Sequence, residues 1–430
     1  MQFPPTAKKL LLTSIVVALG YSTAAIAQDT ASAIRGKLLD ASGQPLTDAT
    51  VVVRDTRTGA TRTLQSNASG TFYATNLPVG GPYNVTVNGT KTVTVNSISL
   101  GDIYNLSIEM GESQIQEIIV LGGSNTFVDV AAGPSASFST FDMETSVAFD
   151  RDIKDVYSID PRMNLDGDSQ VNCVGKHPRF NSISLDGISQ NDRFGLNSNG
   201  YSTATGMPFP YEGIAQVSAE LAPFDVTYGG FTACNINAVT KSGSNEWTGT
   251  VFLERTGDQW RGDSLEVNGQ AQDYSTKGYT EDVKGFSIGG PILEDKLFFY
   301  GAYEESEQPR FLAAGYAGSS NGVERPWLSK ENHDRIEGIA KNLYNYDPGG
   351  LPADGTQTDE KYMLRVDWNI NEQHDATVIY NYYDGVQLRS SDGDDNEFEF
   401  ANHFYNKGAV SETTTVRLRS QWTDALSSEM

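Results

Sequence analysis

Tyr228-Gly-Gly-Phe-Thr-Ala-Cys-Asn-Ile-Asn-Ala-Val-Thr-Lys-Ser-Gly-Ser-Asn-Glu-Trp247 divides the chain. Ahead of it the sequence reads as short strands and turns punctuated by glycine. Behind it come long alternating strands with aromatics at their ends. Within it, Ile236 to Thr240 is a short β-branched strand and Lys241-Ser-Gly-Ser-Asn245 a turn cluster. Trp247-Thr-Gly-Thr-Val-Phe-Leu-Glu-Arg255 then alternates small or apolar with polar residues from an aromatic start. A polar linker feeding such a strand is the hand-over expected between a soluble domain and a membrane β-barrel.

The strands downstream agree with that reading. Tyr362, Leu364, Val366, Trp368 and Ile370 occupy one face of a strand, and Lys361, Arg365, Asp367 and Asn369 the other, with Met363 the one apolar intruder. Period two over ten residues predicts a transmembrane strand, one side to lipid and one to the lumen. Asn371 to Asp375 turns it into a strand from Ala376 to Tyr383. Thr414, Val416, Leu418 and Trp422 alternate in the same way with Thr415, Arg417, Arg419 and Gln421. Pro291 to Asp295 reads as a short turn, and residues 306–358 as a long polar loop. That asymmetry distinguishes a barrel from a soluble sandwich with one wet face. Ser390 to Glu397 is an acidic loop that partly mimics a calcium loop, but Glu397 stands where the required glycine belongs.

Lys8 and Lys9, an apolar run from Leu10 to Leu19 and Ala25-Ile-Ala27 form a secretory signal peptide, too short to span a membrane. The net charge of −24, from 55 acidic and 31 basic side chains, disfavours a nucleic-acid partner. The 20 tyrosines and 19 phenylalanines on so polar a chain fit a barrel with aromatic girdles. Cys173 and Cys234, a lone pair in an exported chain, are most simply a disulfide.

Residues 28–110 show short strands at roughly ten-residue spacing with Gly/Pro turns, the pattern of a small β-sandwich. The unit resembles the carboxypeptidase-regulatory-like fold. A zinc peptidase it is not expected to be, since none of His177, His333, His374 and His403 has Glu three residues on. Asn84-Val-Thr86 and Asn88-Gly-Thr90 match a glycosylation pattern and read as strand and turn residues.

Elements that match one family recur from Ile34 onward, most strongly from Arg179 to Gly249. Glu117-Ile-Ile-Val-Leu121 is an acidic residue leading a β-prone pentapeptide between two units. Asp186-Gly187 is a hairpin dipeptide between β-branched residues, and Tyr228-Gly-Gly230 a glycine turn. Together they resemble TonB-dependent outer-membrane receptors, in particular the Oar-like group with an N-terminal carboxypeptidase-regulatory-like domain. By that resemblance Glu117, Ile118, Ile119, Val120 and Leu121 form a TonB box, a reading that their position between two domains favours over an ordinary short strand. Asp186 and Gly187 form the plug hairpin, and Asp186 has no partner residues at catalytic spacing.

The expected fold is mainly β: a signal peptide (1–27), an N-terminal β-sandwich (28–110), a linker with the TonB box (111–123), an α+β plug (124–245) and the first strands of a transmembrane antiparallel barrel (246–430). Six barrel strands are read, with Met430 in the turn after the sixth. A closed barrel needs at least eight, so a fragment is expected. The resemblance implies a non-enzymatic transporter embedded in outer-membrane lipid. It would need no cofactor or metal, take up an unidentified extracellular ligand and be driven by a TonB-type partner. An adhesion or surface-organising protein on the same scaffold is the competing reading.

Overall fold

The computed structural model describes residues 30–110 and 135–430, apart from 147, 149–150, 166–169, 193, 195–196, 198–199, 222–228, 261–263, 268–269, 274–277, 392–395 and 424–425. The signal segment, the pentapeptide 117–121, Tyr228 and the centre of the acidic loop lie outside the described residues.

Seven strands build the N-terminal unit: β1 (Ser32–Leu39), β2 (Thr50–Asp55), β3 (Thr61–Gln65), β4 (Thr71–Leu77), β5 (Tyr83–Val87), β6 (Lys91–Val95) and β7 (Ile103–Glu109). They pair in two sheets, β4-β1-β7 and β3-β2-β5-β6. Alternate residues of each sheet meet in a core of Ile34, Leu38, Val51, Val53, Phe72, Val85, Val87 and Ile108. Gly36 is glycine because the Phe72 ring occupies the place a Cβ would take. Asn84 lies in β5, and Asn88-Gly89, both at positive φ, turns β5 into β6.

The next unit is a mixed five-stranded sheet, in chain order β8 (Ser135–Phe138), β11 (Ser182–Leu185), β12 (Ile188–Ser189), β13 (Ile214–Glu220) and β14 (Asn235–Thr240). The short pair β9 (Met163–Leu165) and β10 (Val171–Cys173) and two helices, Thr140–Thr145 and Ile153–Tyr157, pack against it. Capping explains where the helices begin: Ser139 and Asp142 form a reciprocal capping box, and Asp152 accepts from the Lys154 amide. Cys173 and Cys234 are joined, with Cα atoms 6.0 Å apart, and so tie β10 to the start of β14.

A seven-stranded antiparallel meander follows: β15 (Thr248–Gly257), β18 (Thr280–Leu293), β19 (Leu297–Arg310), β22 (Gly355–Asn371), β23 (His374–Arg389), β24 (Tyr405–Thr423) and β25 (Leu426–Glu429). Two small pairs stand outside it, β16 (Ser264–Val267) with β17 (Gln270–Asp273), and β20 (Ala314–Tyr316) with β21 (Val323–Arg325). Among the described residues no helix is long and apolar enough to cross a membrane. The strands carry the apolar surface instead: Val251, Leu253, Ile288, Leu364, Val378, Val416 and Trp422 are all exposed on the outer face.

Four readings need correction. Pro291 to Leu293 continues β18 rather than turning, and a register shift there accommodates the proline near the strand end. The strand from Ala376 does not stop at Tyr383 but runs to Arg389. The loop after β19 begins only at Phe311, and it contains the helix Lys330–Tyr344, started by the Ser329 cap and ended by left-handed Asn345. Beyond strand six the chain does not end in a turn, because Leu426–Glu429 pairs back onto β24.

Candidate functional site

The site is the seam between the five-stranded unit and the inner face of the meander. Strand alternation sends every second side chain inward, and register stacks them into rows. Across β19 and β22 the inward pairs are Phe298–Asp367, Tyr300–Arg365, Ala302–Met363, Glu304–Lys361 and Ser306–Asp359. Met363 is therefore no intruder. It is 2% exposed and lies against Gly213, where a Cβ would be only 3.1 Å from its methyl carbon.

The centre of the seam is Arg151. Its Nε donates to Glu304 at 3.1 Å, one terminal nitrogen to Glu254 at 2.7 Å and the other to Glu212 at 2.8 Å. Its carbon lies 3.8 Å from the centre of the Phe252 ring. Glu304 and Glu254 come from the strand wall, Glu212 from the inner unit. Burial alone pulls the guanidinium toward neutrality; the three carboxylates more than offset this and hold it above its ordinary value. Glu304 is shared: its second oxygen accepts from Lys361 at 3.0 Å, and Lys361 reaches Asp359 at 3.2 Å. A cavity of about 630 Å³ opens beside Arg151, Lys241 and Glu254.

A second polar cluster sits toward the short turns. Arg365 grips Asp367 through two bonds of 2.8 Å and donates to the Thr240 carbonyl at 2.8 Å. The hairpin residue Asp186, at φ 48 with Gly187 at φ 82, accepts from the Thr240 hydroxyl at 2.8 Å. Its carbonyl accepts from Arg417 at 2.7 Å. Asp186 is thus a turn residue whose buried carboxylate also anchors the inner unit beside the wall. Toward the long loops, the Thr205 amide meets the Tyr383 hydroxyl at 3.2 Å, and Thr205 Oγ1 meets Asp359 at 3.2 Å.

The expected residues therefore divide. Cys173–Cys234 lies in the core of the inner unit, and Asp186 belongs to the seam. Arg151, Glu304 and Lys361 carried no motif in the sequence. The only hint was a charge, Glu304 or Lys361, at an inward position of a barrel strand. On the long loop His333, Asp334 and Glu337 come within 4.8 Å of one another. Their carboxylates are already bonded to Lys330 and Lys341, and the imidazole packs among Tyr316, Phe398 and Phe400.

Residues 33–111 match the carboxypeptidase regulatory-like domain, and residues 239–316 match an outer membrane beta barrel domain. The TonB-dependent transporter Oar of Myxococcus xanthus is 26% identical over 398 residues, covering 86% of this chain. Over most of its length the chain is thus similar to a TonB-dependent transporter of the Oar type. Its barrel domain places it in the outer membrane. The chain spans 35% of the Oar sequence, about a third of that relative. Among solved structures, the outer membrane transporter YddB from Escherichia coli overlaps 67% of this chain and 37% of its own, at TM-score 0.46 and 10% identity. The ferripyoverdine receptor of Pseudomonas aeruginosa overlaps 67% and 32%, at TM-score 0.40 and 15% identity. The relatives are transporters and receptors rather than enzymes.

Proposed function

We propose that the chain belongs to an outer-membrane active transporter without chemistry of its own. It takes up an extracellular ligand with energy delivered by a TonB-type partner at Glu117–Leu121. The observation that supports this most is the character of the seam. Arg151, Glu304, Lys361 and Arg365 bond a plug to a wall through charges and hydrogen bonds, where a rigid wall-filling domain would present an apolar jigsaw. A polar interface exchanges its partners for water at modest net cost, so a pull can rearrange it.

The pentapeptide supplies the point of traction. Ile118, Ile119 and Val120 are β-branched and favour the extended backbone that strand addition to a partner's sheet edge requires. Main-chain bonds carry most of such an interaction. In the full-length protein Ile119→Ala should therefore weaken capture by the periplasmic domain of the TonB-type partner only mildly. Ile119→Pro should abolish it, because proline removes a donor and fixes φ. Equal capture of the proline variant and the parent contradicts the assignment and favours a surface-organising role.

A further inference from the structure

The two rows of the lumen wall nearest the long loops differ from those beneath them. Gln308, Gln357 and Gln387 are register partners across β19, β22 and β23. One row outward, Arg310 pairs with Gly355, and Arg389 stands two residues beyond Gln387. Gly355 puts no side chain between the two arginines. Beneath them every acid is matched: Glu304 and Asp359 with Lys361 and Arg151, and Asp152 with Lys154. The neutral glutamine row separates the arginines from those acids. Among the described residues neither arginine forms an ion pair, and the Nε of each is buried without a hydrogen-bond partner. Both line a cavity of about 250 Å³ with Asn197 and Thr205 of the plug.

We infer that Arg310 and Arg389 form an anion-recognising subsite for a carboxylate or phosphate group of the extracellular ligand, an assignment that rests on the transporter reading. Two guanidinium groups on one partly desolvated wall repel each other and lose hydration. An anion between them relieves both penalties. Their planar forks match carboxylate and phosphate oxygens in pairs. Lys407, the register partner of Gln387, adds a third cation to the same wall. On a chain of net charge −24 this concentration is local, so it does not reflect general attraction of anions. The volume lies below the roughly 300–1,000 Å³ of pockets for drug-sized ligands, so the subsite takes one anionic group rather than a whole ligand.

The test is titration of citrate and of pyrophosphate, each against glucose as a neutral control, into the full-length protein in detergent. Saturable binding of at least one anion is expected, citrate leading for a carboxylate ligand and pyrophosphate for a phosphate one. Arg310→Gln and Arg389→Gln should each weaken it about tenfold, as the loss of one charge-assisted pair implies, and the double variant should lose it. Arg310→Lys keeps the charge without the fork and should fall between, which guards against a folding defect. Arg255→Gln, at an exposed pair with Asp282, should bind as the parent does. No binding of either anion, or equal binding by the parent and the double variant, overturns the subsite. Ile119→Pro should bind both as the parent does, so failure here leaves the energy-coupling reading standing.

Discussion

Arg151 is held at φ 47, a left-handed backbone that costs a non-glycine residue about 1–2 kcal/mol. The conformation persists because it aims one guanidinium at carboxylates on three elements at once. Glu304 is 1% exposed and would keep only Lys361 and the Tyr211 amide if the arginine left. Arg151→Met should therefore loosen the inner unit from the wall by about 3–5 kcal/mol, the cost of breaking a buried ion pair from one side. Arg255→Met, which breaks only an exposed pair, should cost about 0–1 kcal/mol. Differential scanning calorimetry of the two variants in detergent measures the contrast. Similar melting of both would mean that Arg151 is not a keystone of the seam.

At the scale of elements, β22 turns sequence into orientation most plainly. Leu364 and Trp368 are each 51% exposed on the outer face, and Arg365 is buried on the inner one. Leu364→Arg should cost about 2–4 kcal/mol of barrel stability if the position lies near the bilayer midplane. Spin labels should contact lipid at position 364 and not at 365; the reverse pattern would contradict the orientation. This strand was legible because period two is a local property that lipid and plug enforce from opposite sides. Met363 was the exception, and its reason, the plug backbone at Gly213, is remote in sequence. The Asp186-Gly187 hairpin was legible from turn chemistry, but the bonds from Thr240 and Arg417 to Asp186 were not. The loop helix Lys330–Tyr344 was missed although its signals are local: the Ser329 cap, and Ile336, Ile339 and Leu343 at helical spacing. Its apolar residues remain exposed, so the stripe looked like part of a polar loop.

On the scale of the whole molecule, three units meet at the wall. The N-terminal unit touches the short-turn end, where Arg62 approaches Asp375 at 3.7 Å and the Arg57 carbonyl accepts from the Asn245 amide at 2.8 Å. The five-stranded unit packs against the inner face of the wall beyond it, and Arg310 and Arg389 stand at the end nearest the long loops. A pull at Glu117–Leu121 would reach the plug sheet through the chain entering β8. The sheet's core includes Ser184, 1% exposed and donating to Asn237 at 2.8 Å. Ser184→Cys is nearly isosteric, and Cys173 and Cys234 are already paired, so it adds a free thiol to a chain that otherwise has none. The decisive measurement is maleimide labelling of that thiol in growing cells. The account predicts labelling that a protonophore stops and that Ile119→Pro also stops. Labelling that is absent in energised cells, or unchanged by both treatments, would contradict a plug moved by energy coupling.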